Sequence, residues 1–115
     1  MTDAIMNALG TLAAIPGVRA AVAATPHDGL PAATVASIGV DADALAAFAT
    51  ALFQRTRRAN AAAGYGETTH LALDAEHGRL FISATPDLAL VLLADRGAGA
   101  GVIRMALRRA LKEVA

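Results

Sequence analysis

The chain has 115 residues, 56% hydrophobic and 17% charged, with ten basic and ten acidic side chains giving a formal net charge of +0. That length holds one core and predicts a single domain over residues 1–115, balanced charge removes the basic field used by nucleic-acid binders, and the lack of cysteine excludes disulfides, thiolate metal sites and a cysteine nucleophile. Asp3, with no basic region ahead of an apolar run, is unlike a signal peptide, and no apolar run nears the roughly 18 residues of a membrane span, so a soluble, cytoplasmic protein is expected.

Thr2 or Asp3 is placed to cap a first helix whose Ile5, Ala8, Leu9 and Leu12 form a stripe, and Pro16-Gly17 stops it near Ala14. Val18 to Ala24 and Ala32 to Ile38 read as two strands. The Asp28-Gly29 step between them is a hairpin signal. Asp41 or Asp43 caps a long second helix, which Gly64-Tyr65-Gly66 ends after a basic last turn of Arg55, Arg57 and Arg58.

The middle of that helix, Ala44 to Gln54, carries no charge. Leu45, Phe48, Ala49, Leu52 and Thr56 recur at helical spacing as one stripe, Ala46, Thr50 and Phe53 flank it, and Ala44, Ala47 and Ala51 line the far side. A helix apolar most of the way round is covered on more than one side. One face docks on its own sheet, and the other needs a partner.

Thr68 to Asp74, Arg79 to Ala84 and Leu88 to Ala94 then read as a three-stranded meander with turns at Glu76-His77-Gly78 and Thr85-Pro86-Asp87. The last of these strands is apolar without alternation, so helices are expected on both faces of the sheet. A glycine-rich loop, Arg96 to Gly101, leads into a final helix with Ile103, Leu107, Ala110, Leu111 and Val114 facing the core and Arg104, Arg108 and Lys112 on its polar side.

No catalytic constellation is legible. His27, His70 and His77 lie apart, with no i,i+4 pair and no carboxylates at metal-ligand spacing. Ser37 and Ser83 sit in strands without the strand-to-helix elbow of an activated serine, and Asp41 and Asp43 serve more simply as caps. Gly97, Gly99 and Gly101 are spaced GxGxG, not GxGxxG, and lack the Lys-Ser/Thr ending of a P-loop, so a flexible loop that starts a helix is the simpler reading. No enzyme activity, cofactor or metal is expected. The exposed arginines could act in trans on a GTPase, but placement near helix ends on a solvated face explains them more simply.

The order helix, hairpin, helix, meander, helix resembles the Roadblock family, named for a dynein light chain and including the bacterial MglB-like regulators of small GTPases. Leu12-Ala13-Ala14-Ile15-Pro16-Gly17-Val18 looks like the family's helix stop and first strand, Asp28-Gly29-Leu30-Pro31 like its hairpin turn, Gly78-Arg79-Leu80-Phe81-Ile82 like its fourth strand, and Gly101 to Ala110 like the start of its closing helix. The resemblance implies an α/β fold of the α+β sandwich type, Roadblock/profilin-like, with a five-stranded antiparallel sheet between helices. It also implies a homodimer formed by pairing second helices and joining third strands.

The expected interface is then Ala46, Ala49, Thr50, Phe53 and Arg57 of the second helix with Thr69, His70, Leu71, Ala72 and Leu73 of the third strand. An unpaired strand edge of that composition is an association hazard that a second copy removes. The function implied is a non-enzymatic homodimeric adaptor or regulator of a Ras-like small GTPase. Two alternatives are a dimerisation module that scaffolds a larger complex without a GTPase and, from another class, a small-ligand sensor using the glycine-rich loop.

Overall fold

The computed structural model describes residues 2–114. Eight elements follow in order: α1 (Thr2–Ala13), β1 (Val18–Ala24), β2 (Pro31–Ala36), α2 (Ala42–Ala62), β3 (His70–Ala75), β4 (Gly78–Ala84), β5 (Ala89–Ala94) and α3 (Ala100–Val114). All five strands join one antiparallel sheet in the order β2-β1-β5-β4-β3. This is the α+β arrangement expected from the sequence. β2 is shorter at its far end than expected, leaving Ile38 fully exposed, and β3 starts two residues later.

The helix signals act largely as read. Asp41 caps α2, its side chain accepting from the Ala44 amide at 3.0 Å. At the other end the Tyr65 amide donates to the Asn60 carbonyl and the Gly64 amide to that of Ala61, with Gly64 left-handed at φ +84: a Schellman closure. The helix runs on to Ala62, however, so Arg55, Arg57 and Arg58 lie a turn before its end and not in the last turn. α1 is already helical at Thr2, and Asp3 lies in its first turn, so neither residue is the cap that the sequence suggested.

β5 sits at the centre of the sheet, and its unbroken apolar run is buried on both faces. Leu90 and Leu92 point with Phe81 into a core closed by Leu9 and Leu12 of α1 and Ile103 and Leu107 of α3. Val91 points the other way, with Val22, Leu80 and Ile82, beneath Ala46, Ala49 and Phe53 of α2. The alternation of strand side chains thus divides the interior into two layers, one under two helices and one under a single helix.

The candidate interaction surface

α2 docks through a stripe centred on Ala49. Ala46, Ala49, Thr50 and Phe53 are buried against the chain's own sheet, with Leu45 and Leu52 half-buried at the margins. Helical spacing alone places Phe48 in the main apolar stripe and Ala46, Thr50 and Phe53 on its flank. The helix meets the sheet through that flank, where the small Ala46 and Ala49 allow a close approach to Val22, Ala24 and Val91 and Phe53 packs beside them. Four expected interface residues are therefore interior groups in this fold. Thr50 donates to the Ala46 carbonyl at 2.8 Å, so its burial leaves no unpaired hydroxyl.

The first hairpin loop fixes this rotation. Gly29, left-handed at φ +71, lies so close to α2 that a Cβ there would come within 2.4 Å of Thr50 Oγ1 and 3.3 Å of Ala47 Cα. Gln54 donates to the Pro26 carbonyl at 2.9 Å from the same side. With the loop against one flank and the sheet beneath, the free direction is that of Phe48, which is 57% exposed.

α2 packs over β1, β2, β4 and β5 and leaves β3 largely uncovered. On β3, Leu71 and Leu73 face the α2 side, opposite Ile82 and Leu80. Leu71 is half-buried and Leu73 is 38% exposed. Leu45 and Phe48 from α2, with Leu73, Leu80 and Leu93 from three adjacent strands, line an open groove of about 430 Å³ that ends at the β3–β4 turn. The groove is apolar, shallow and adjacent to a free strand edge.

That edge is β3 itself, the last strand of the sheet. Thr69 accepts from the Ala84 amide, so odd-numbered residues direct their backbone groups toward β4 and even-numbered ones, His70, Ala72 and Asp74, direct theirs outward. Thr69 and Ala72 are exposed. Arg57 is half-buried and pairs with Glu67 at 3.1 Å. His70 lies on the opposite, α3 side of the strand, with Nδ1 2.6 Å from Ser83 Oγ. Its pKa is held below the ordinary value, first by burial and then by Arg104 and Arg108.

Expected site residues thus fall into two groups: those of β3 and its approach lie along an open edge, and those of α2, apart from Arg57, are buried between the helix and the sheet. Sequence reading missed that Phe48 is the outward aromatic. The sequence carries no local signal for it, because the close approach of Gly29 to α2 that settles which side is covered exists only in the folded chain.

The glycine-rich loop is held in place. Ala98 is buried against Gly17, and its carbonyl accepts from Arg79 at 2.8 Å. Among the described residues no three His, Asp or Glu side chains converge to hold a metal, and no helix is long and apolar enough to cross a membrane.

Known proteins share this architecture. A Roadblock/LC7 domain from Streptomyces avermitilis superposes with a TM-score of 0.82 at 23% identity, covering 99% of this chain and 93% of that one. The gliding protein MglB of Thermus thermophilus gives 0.86 at 19% identity, covering 99% and 87%. An uncharacterized protein of Methanocaldococcus jannaschii is 31% identical over 87 residues, 76% of each chain. The Roadblock/LC7 domain family itself matches residues 5–94, and with the sheet order and helix placement above, the chain belongs to that family.

Proposed function

We propose that this Roadblock domain is a non-enzymatic homodimeric adaptor that binds a Ras-like small GTPase and modulates its nucleotide state or localisation. The observation that carries the reading is the uncovered strip running from Phe48 across Leu73 to the open β3 edge. A strand edge with outward amides at His70, Ala72 and Asp74 can pair with its own copy about a two-fold axis. Such pairing would bring a second α2 over the apolar groove. Thr69, His70, Leu71, Ala72 and Leu73 would form the strand part of the seam, with Phe48 and Leu45 above it and Arg57 at its rim.

The Roadblock family is generally a regulatory and adaptor family, and MglB has the same fold, which supports assigning the outer surface of the dimer to a GTPase. Light scattering at micromolar concentration should give twice the monomer mass, and capture of small GTPases should differ between their GDP and GTP states. A monomer, or partners that include no nucleotide-binding subunit, would overturn the corresponding half of the reading.

A further inference from the structure

On the α3 side of the sheet, at the start of β3, lies a pocket of about 200 Å³ that shares only Thr69 and His70 with the proposed seam. His70 and Ser83 form its polar floor, Thr69 adds a second hydroxyl, and Ala84 and Leu111 supply apolar wall. Ser83 is only 5% exposed. The remaining wall is Arg104, Arg108 and Lys112, four residues apart and so stacked on one face of α3.

The charge inventory is one-sided. From β3, β4 and α3 together the pocket receives three permanent cations, one imidazole and two hydroxyls, and no carboxylate lines it. Among the described residues, the ion pairs of the chain use Arg19, Arg57, His77 and Arg79 and none of these three cations. Helix polarity favours Lys112 in the last turn of α3 but not Arg104, which lies toward the positive N-terminal end. Burial first, and then Arg104 and Arg108, hold the His70 pKa below its ordinary value, in keeping with cations placed around the same small space.

We propose that this pocket binds a phosphoryl group. Unneutralised arginines that converge on hydroxyl donors form a receptor for an oxyanion with several acceptor oxygens. Formal charge of three favours a dianion over a single carboxylate. The volume admits one such group and not a whole nucleotide, so the phosphoryl belongs either to free phosphate or to the end of a larger molecule lying across the surface. The inference does not require a GTPase, and it touches the proposed dimer only at Thr69 and His70.

The test is an amide chemical-shift titration of the full chain with sodium phosphate, against sodium chloride at matched ionic strength. Saturable shifts confined to the surroundings of Thr69, His70, Ser83, Arg104 and Arg108 are expected below about 10 mM. The His70 pKa should rise in phosphate, because an adjacent anion favours the imidazolium. Arg104→Ala with Arg108→Ala should weaken binding roughly tenfold or more, and the His70 titration of the unaltered protein remains decisive if that variant fails to fold.

A parallel titration with GMP identifies the source. Saturation at lower concentration than phosphate assigns a nucleotide-borne phosphoryl, and saturation by phosphate alone assigns the free ion. Shifts that do not saturate, that spread equally to Arg55 and Arg58, or that acetate reproduces at the same concentration would overturn the proposal. Light scattering reads the dimer separately, so the two readings fail by different measurements.

Discussion

On one face of the sheet two helices press Leu9, Leu12, Ile103 and Leu107 onto Phe81, Leu90 and Leu92; on the other, α2 alone presses two alanines and Phe53 onto Val22, Ile82 and Val91. Five strands spaced about 4.8 Å apart span about 19 Å between the outer two, whereas a helix with its side chains covers about 10–12 Å. Two helices close the first face. One helix cannot close the second, and the remainder is the ground between Phe48 and the edge of β3. The sheet is therefore half finished on the α2 side, and its unfinished part coincides with its free edge. Incomplete coverage of this kind is what a second copy of the chain would remedy.

The sharpest way to break the comparison is to place a carboxylate on each side of α2. Phe53→Glu buries a charge with no partner and should cost about 5 kcal/mol, enough to unfold a domain of ordinary stability. Circular dichroism and urea melts would show it. If Phe53→Glu instead yields a folded monomer, the docked stripe has been assigned to the wrong side of the helix. Phe81→Ala, on the closed face, should cost about 3–4 kcal/mol through the cavity it leaves, with any protein that remains folded associating as before. An altered association constant in that variant would mean the two faces are not independent.

These two positions also show what was legible from sequence. Element order, the boundaries of β1 and, to within one residue, those of β4 and β5 follow from local signals such as Pro16-Gly17, Asp28-Gly29 and the seven-residue apolar run ending at Ala94, all within short stretches of chain. The rotation of α2 was not legible, because Phe48 and Phe53 are equally apolar and stand on nearly opposite sides of the helix, with Ala49, Thr50, Ala51 and Leu52 between them. Hydrophobic spacing fixes a helix but not which of two apolar sides meets the sheet. Only the contact between Gly29 and Thr50, long-range in sequence, decides it. That the third strand lies at the edge of the sheet was implied by the family resemblance and agrees with the sheet order, whereas the side of α2 that meets the sheet required the packing.

A milder pair of substitutions probes the open side alone. Phe48→Glu and Leu73→Lys replace exposed groups and should change monomer stability by no more than about 0.5 kcal/mol. Each should weaken self-association roughly 10- to 100-fold by analytical ultracentrifugation, the range for losing an anchor at the centre of an interface. The two residues line one groove, so the double variant should fall short of the sum of the singles. Full additivity, or a dimer untouched by either change, would move the seam away from the groove.

The smallest expected effect lies where the closed face meets the open edge, at His70. Its folded-state pKa is depressed below 6.5 by burial and by Arg104 and Arg108, so protons bind the unfolded chain more readily. Above 6.5 both states are neutral at this site and it contributes nothing to pH dependence. As pH falls from 6.5 toward the lowered value, the unfolded state gains the proton first and stability declines. Asp74, depressed by its hydrogen bond from Arg79, and Asp28, by its hydrogen bond from Thr25, act only further down, losing their contributions as pH falls through and below 3.8. The windows are separate, so urea midpoints between pH 7 and 5 isolate the histidine. His70→Gln keeps a partner for Ser83 and should flatten that segment while leaving the acid limb unchanged. The measurement belongs in phosphate-free buffer, since an anion held by Arg104 and Arg108 would raise the His70 pKa and shrink the slope. Recovery of a shallow slope on adding phosphate to the unaltered protein, and its absence in His70→Gln, would tie the polar corner of the closed face to the pocket beside it.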